Sequence, residues 1–306
     1  MKIGIFLPTP GTVLEITPLL DQFQRVEAEG FAGAWTPNIT AFDALTVLAL
    51  AGRVTQRIEL GSFVVPTYTR HPVVMAQQAL TAQAASGNRL TLGIGVSHRP
   101  TIETLLGMDF SHPVRHLREY LSVLEPALAQ QSVTFQGEEF RPNGYQLRVP
   151  GATAPSVLVA ALGPQLLRLA GRRAAGTAIW MGGTRYLRDY VVPTISQAAQ
   201  EAGRPAPRIV TSVPVCVTDQ PEQIRARGNQ DFARYGQLPS YRAILDKEGA
   251  PNPSDVALIG SEAEVRRGLD AFAAAGATDF IAAVYAPPGT DAADTWAVLK
   301  AYAGGG

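Results

Sequence analysis

The chain has 306 residues, 46% of them hydrophobic, with 26 basic side chains against 26 acidic ones. That length suits two modest domains or one large α/β barrel. A formal charge of zero supplies no general field for nucleic acid or an anionic membrane, so any bound anion must be held by local geometry.

"KIGIFLP" (2–8) is a short apolar run closed by a proline and reads as a buried strand. With one lysine and so short an apolar run it is no signal peptide. No stretch approaches the length of a bilayer span, so a soluble, intracellular and cytoplasmic protein is expected. "PLLDQFQRVEAEG" (18–30) sets Leu19, Leu20, Phe23, Val26 and Ala28 on one helical face and stops at Gly30. Strand-like 33–37, helix 42–54, strand-like 58–66, an Ala/Gln-rich helix 72–86, strand-like 89–96 and helix 113–130 follow, with His112 a plausible cap. Residues 133–151 hold β-formers and turn residues without a helical period and predict an inserted hairpin. The alternation resumes with strand 156–162, helix 164–174, strand 176–182, helix 184–203, strand 208–218 and helix 221–235. Residues 236–257, rich in Pro, Gly and Asn, read as a lid or insertion. Ser261 and Glu264 form a capping box that opens helix 261–276; strand 279–287 and helix 291–303 complete the chain. The single cysteine, Cys216 in "SVPVCVT", reads as a buried strand thiol and not as a nucleophile.

Eight strands, each followed by a helix, demand parallel pairing with the helices outside. A (β/α)8 barrel is the expected architecture and a doubly wound sheet the alternative. No linker divides residues 1–306. In such barrels function sits at the carboxyl ends of the strands. Those ends collect Pro8 and Thr9; Pro37 and Asn38; Phe63 to Thr67; Gly95 to His98; Leu162 to Pro164; Trp180 to Thr184; Val217 to Asp219; and Tyr285 to Pro288. The set is poor in carboxylates and shows no metal-binding spacing, no nucleophile elbow and no complete dinucleotide fingerprint. Aromatics, small residues and backbone donors suit a cofactor that brings its own reactivity.

Several of these stretches resemble one family. "KIGIFLP", "EGFAGAWTP", "RIELGSFVVPTYTRHPVVMAQQA", "NRLTLGIGVSHRP" and "AALGPQLLRLAGRRAAG" are similar to the bacterial-luciferase-like superfamily, and within it to the coenzyme F420-dependent oxidoreductases. The resemblance covers nearly the whole chain. It implies a strand-three bulge with a non-prolyl cis peptide at Phe63–Val64, pressing Phe63, Val64 and Val65 toward a deazaflavin ring. It also implies a cofactor phosphate held by backbone amides at Leu162, Gly163 and Pro164, with Gly182 and Gly183 as a second set. Relatives often carry an Asp-His pair after strand two. Asn38 and Ile39 stand there instead: Asn38 retains the means to bond the ring, and Ile39 cannot transfer a proton. Gly95, Ser97 and His98 fall at the ring edge, and His98 matches the place of an acidic proton donor in some relatives. Its local alternative is a histidine that simply bonds the loop. Thr9, Thr67, Tyr68, Trp180 and Tyr285 are expected to line the substrate pocket, and Arg70 and His71 to serve the third helix structurally. Arg141, Tyr145, Tyr235, Tyr241 and Arg242 are placed near the substrate end by loop position.

The expected activity is hydride transfer between coenzyme F420 and a small organic substrate, with His98 catalytic and reduction of an activated C=C or C=N bond favoured. The alternatives are an FMN-dependent monooxygenase and a non-catalytic flavin-binding barrel. A homodimer is expected, with no nucleic acid, membrane or metal partner.

Overall fold

A computed structural model describes residues 1–8, 14–288 and 290–305, so Thr9 lies outside the described residues. The strands in chain order are β1 (Lys2–Phe6), β2 (Gly33–Thr36), β3 (Glu59–Ser62), β4 (Val65–Pro66), β5 (Leu90–Gly95), β6 (Ser156–Val159), β7 (Gly176–Trp180), β8 (Arg208–Ser212), β9 (Pro214–Val217), β10 (Leu258–Gly260) and β11 (Asp279–Val284). β3 and β4 share one stave, as do β8 and β9. The neighbours run β1, β2, β3, β5, β6, β7, β8 and β11, and β11 returns to β1 in the register Lys2 with Asp279. This closed ring of parallel staves is the (β/α)8 barrel. A doubly wound sheet would leave two edges, whereas β1 is paired on both sides. β10 adds to β9 as a short strand outside the ring.

The helices are α1 (Ile16–Ala28), α2 (Ala44–Val54), α3 (Pro72–Ala85), α4 (Pro113–Leu128), α5 (Pro164–Arg173), α6 (Thr184–Tyr186), α7 (Val192–Glu201), α8 (Pro221–Asp231), α9 (Ala233–Gln237), α10 (Pro239–Glu248), α11 (Glu262–Ala274) and α12 (Ala293–Gly304). π-helical turns occupy Pro100–Leu105 and Leu187–Val191, the second joining α6 to α7. Ser261 and Glu264 make the reciprocal capping box of α11. His112 stands at the N-cap position of α4, but its side chain makes no capping bond there, so that expectation is corrected. Over residues 133–151 the chain goes out and back, with Val133 and Tyr145 exchanging backbone bonds of 2.7 and 3.1 Å. Within 236–257 it is mostly helical, in α9, α10 and a 3-10 turn at Pro253–Val256.

Alternate residues of each strand face the barrel axis and fill it in layers. At the amino end Arg208 reaches Glu59 at 2.7 Å and Asp279 at 2.7 Å, while Thr91 bonds Glu59. Above lie Trp35, Leu158, Ala178, Val210 and Ile281. Gly61 must be glycine: a Cβ there would fall inside the ring of Trp35. Phe6, Phe63, Trp180 and Ala283 form the upper layer. Cys216 is 1% exposed and its thiol is pushed up to about 11 by burial, which makes it inert as a nucleophile. Among the described residues no helix is long and apolar enough to cross a membrane, and no group of side chains is arranged to hold a metal ion.

Candidate functional site

The carboxyl ends of the staves form the mouth of the barrel, and its wall is built by the interruption of the third stave. The Phe63–Val64 peptide is cis. The Ser62 hydroxyl donates to the Gly93 carbonyl and accepts from the Gly93 N–H, both at 2.9 Å, and so links the stave to β5 beside the break. A Cβ on Gly93 would collide with the Ser62 carbonyl. One on Gly95 would lie 3.0 Å from Val64 Cγ2 and 3.1 Å from Ala160 Cβ. The two glycines are therefore fitted to the bulge and to the next stave. Val65 is fully buried in the outer wall with the helices, so its side chain does not face the mouth, contrary to expectation.

Inside the wall Phe6 stacks on Trp180 at 5.6 Å between ring centres, and Phe63 meets Phe6 edge-on at 5.8 Å. These rings make an apolar floor. Trp180 and Ser212 are register partners on β7 and β8. The Ser212 hydroxyl is buried without a hydrogen-bond partner. An unmet buried hydroxyl is costly unless something bonds it. Trp180 Nε1 is also buried without a bond of good geometry; the indole holds back part of the rise that burial imposes on the Tyr235 phenol. Two non-glycine residues at the mouth have left-handed backbones, Ser97 (φ 63°) after β5 and Met181 (φ 57°) after β7. Such conformations cluster where loops are shaped for function.

His98 is partly buried beneath α10. Its Nδ1 lies 3.3 Å from Ser240 Oγ, and its ring centre lies 5.3 Å from that of Tyr241. Burial, helped by the positive charge of Arg234, lowers its pKa. The ring is thus neutral at pH 7 and not an imidazolium ready to donate. Phe232 and Tyr235 pack edge to face on Trp180, and Tyr241 packs edge to face on Tyr235. Tyr285 is 3% exposed beneath this cover, and its hydroxyl donates to Asp231 at 2.6 Å. It reaches an open pocket only if the cover moves.

The expected phosphate amides divide into an open set and a filled one. At the start of α5 no side chain caps the helix, and the space a Cβ on Gly163 would enter is empty. Pro164 has no N–H to give, so the free donors there are Gln165 and Leu166. The Leu162 carbonyl accepts from Tyr186 Oη at 2.7 Å. At α6 the Glu248 carboxylate, reaching from α10, accepts from the N–H groups of Arg185 (3.2 Å) and Tyr186 (2.6 Å). Gly182 is packed on Ile179 and Tyr186, and Gly183 on Glu248. The amides that follow Gly183 are thus occupied by the protein itself, and the Glu248 carboxylate also fills the space beside Gly183.

Asn38 Oδ1 accepts from the N–H of Ala44 at 3.0 Å, which leaves its NH2 group and one oxygen lone pair to bond elsewhere. Ile39 is 68% exposed. Thr67 is 1% exposed and cannot line an open pocket; it bonds His116 and Gly95. Tyr68 stacks on His116 at 3.9 Å, with ring planes 7° apart, and burial and Glu139 push its phenol up to about 12. Arg70 pairs with Asp43, and His71 Nδ1 accepts from the Val73 N–H at 3.4 Å at the head of α3. Arg141 and Arg242 bond carbonyls of their own segments, and Tyr145 is exposed on the hairpin. The sequence reading placed His116 near the start of the fourth helix without a role, and did not reach Ser212, Glu248 or Glu139. A histidine at position 116, in helical step with Tyr120, Val123 and Ala127 on a buried face, was a usable signal. The acids carried none, because they act across long separations.

The chain is similar to known proteins. The chain is 31% identical over 246 residues to an uncharacterised protein of Mycobacterium tuberculosis, covering 75% of this chain and 71% of that one. It is 25% identical over 299 residues to the 5,10-methylenetetrahydromethanopterin reductase of Methanolobus tindarius, covering 91% and 88%. Over a shorter stretch of 116 residues it is 37% identical to a putative coenzyme F420-dependent oxidoreductase of Mycobacterium tuberculosis, covering 38% and 33%. A solved F420-dependent secondary alcohol dehydrogenase in complex with an F420-acetone adduct superposes with a TM-score of 0.80 at 16% identity, covering 98% and 97%. The family described as luciferase-like monooxygenase matches residues 1–279, and the chain belongs to that family.

Proposed function

We propose that this protein is an oxidoreductase that binds coenzyme F420 and passes hydride between it and a small organic substrate. The observation that carries the reading is the apolar floor of Phe6, Phe63 and Trp180 beside the uncapped head of α5. A planar ring with an anionic tail suits both. Gly95 and Ala160 join the two features, since β5 and β6 are neighbours and Gly163 follows three residues after Ala160. The relatives named for F420 and for methylenetetrahydromethanopterin reduction support the same reading.

When bound, the deazaflavin supplies a carbon that gives or takes hydride. The chain's own residues bind and orient. The N–H groups of Gln165 and Leu166 receive the phosphate with the help of the α5 dipole. Val64 would bear on the ring and the Asn38 NH2 would offer a bond to its polar edge, while the Ser212 hydroxyl, 0% exposed, would become available only if the aromatic cover moves. The cover of Phe232, Tyr235 and Tyr241 excludes water. His98 is the candidate proton group. For reduction of an activated C=C or C=N bond it must first take up a proton, which burial and Arg234 oppose. Reductive turnover is therefore expected to rise as the pH falls below 6.5, and His98→Ala to remove that rise.

Parallel fluorescence titrations with F420 and with FMN test the reading. Binding of the deazaflavin alone supports it. Preference for FMN would make the protein a monooxygenase, and binding of neither would leave a barrel without this cofactor chemistry. Leu50 on α2 and Val74 on α3, both 42% exposed on helices packed against each other, suit a face shared with a second copy. Sedimentation at a dimer mass would support a homodimer, and a monomer mass would refute it.

A further inference from the structure

Away from the mouth, the 133–151 segment, α4 and the end of β4 bring three polar side chains into one line, which runs from Glu139 at the surface to the buried His116 and Thr67. A Glu139 carboxylate oxygen stands 2.6 Å from His116 Nδ1, and His116 Nε2 stands 3.0 Å from Thr67 Oγ1. His116 is 4% exposed and Thr67 1%. The Thr67 N–H donates to the Gly95 carbonyl at 2.9 Å, and the Thr67 hydroxyl lies 3.3 Å from that same oxygen. The line therefore runs from the inserted segment to the last residue of β5, beside the Val64 bulge and two residues before the left-handed Ser97.

The proton count fixes its direction. The Thr67 hydroxyl has one proton and two acceptors within reach, and the shorter contact is the one to His116 Nε2. Nε2 then accepts, and the proton on Nδ1 is donated to Glu139. The groups facing the ring agree. Glu139 and Glu119 pull its pKa up, but burial outweighs them and the ring stays neutral. Arg115 shares the Glu139 carboxylate at 3.5 Å, and Tyr68 covers one face of the ring. The segment itself is clamped to α4, because the Glu119 carboxylate accepts from the N–H groups of Glu138 (3.2 Å) and Glu139 (2.9 Å).

We propose that Glu139, His116 and Thr67 form a positioning chain through which residues 133–151 fix the end of β5 and, with it, the cofactor side of the mouth. None of the three need touch substrate; they act through the Gly95 carbonyl. The cofactor readout rests on the function proposed above, and the other two readouts do not.

Long-range 1H–15N correlation at pH 7.5 is expected to show His116 as the Nδ1–H tautomer; the Nε2–H tautomer would overturn the direction of the chain. Without cofactor, Glu139→Ala is expected to speed amide exchange in residues 64–70 and 90–98 as well as in 133–151. Faster exchange confined to 133–151 would reduce Glu139 to a local clamp. In the F420 titration Thr67→Val is expected to weaken binding about tenfold, the worth of one lost buried hydrogen bond. Thr67→Ser is expected to restore it. Equal binding by wild type and Thr67→Val refutes the chain's effect on the mouth. A wild type that binds no F420 refutes the cofactor assignment, and the tautomer and exchange results then decide the chain by themselves.

Discussion

The two ends of the barrel are built on opposite terms. At the amino end the charges inside the ring are met: Arg208 spans Glu59 and Asp279, and Thr91 closes the group. At the carboxyl end the Ser212 hydroxyl goes unbonded, two residues hold left-handed backbones, the α5 head is uncapped and His98 is kept neutral. Satisfied polar groups specify and stabilise a structure; unsatisfied ones are retained where a ligand completes them. One end of the same eight staves thus closes the ring, and the other stays available for chemistry.

Removing the keystone of the amino end should have the largest effect. Arg208→Met leaves two carboxylates facing each other inside the ring, at a cost of about 3 kcal/mol or more. Chemical denaturation should show that loss, while cofactor affinity per folded molecule should hardly change. If affinity falls as far as stability, the two ends are not separable. Gly93→Ala breaks the contrast from the other side, because its methyl group collides with the Ser62 carbonyl. A loss of about 1–3 kcal/mol is expected, together with weaker binding. Ser212→Ala should leave the unliganded protein within about 1 kcal/mol of wild type or more stable, since it removes an unmet hydroxyl, and should weaken cofactor binding. Clear destabilisation would show that this hydroxyl has a partner in the free protein.

The smallest effect concerns pH. His71, His98 and His116 all have lowered pKa values, with burial the leading cause in each. The unfolded chain binds these protons near 6.5 and the folded chain only below that. Stability is therefore full above 6.5 and declines as the pH falls through the window beneath it. Melting temperature against pH should show this slope, and His98→Gln should flatten it. An unchanged slope would mean that His98 titrates alike in both states.

The fold was legible because its signals are local. The apolar run at 2–8, the strand-like 89–96, the helical face of 18–30 and the Ser261–Glu264 box each declare themselves within a few residues. So did Cys216. The shape of the mouth was legible only through resemblance, since "SFVVP" by itself reads as an ordinary strand. Tertiary partners set the rest. Glu248 fills the amides after Gly183 from more than sixty residues away. Thr67 is withdrawn from the pocket by His116, which α4 delivers. In residues 236–257 proline opens α10 as its first residue, and Gly249 closes the helix in a left-handed conformation, so composition alone concealed a helix.

The closure of β1 on β11 also sets an order of events at the ribosome. Lys2 is made 277 residues before its partner Asp279. At ordinary elongation rates the outer edge of β1 waits roughly 15 to 55 s for its neighbour. During that time β2 covers one side and the other remains an open template for any strand that passes. A nascent chain of this protein should therefore need shelter until β11 has emerged, and a stop just before residue 279 should leave a product more prone to aggregation than one stopped after it.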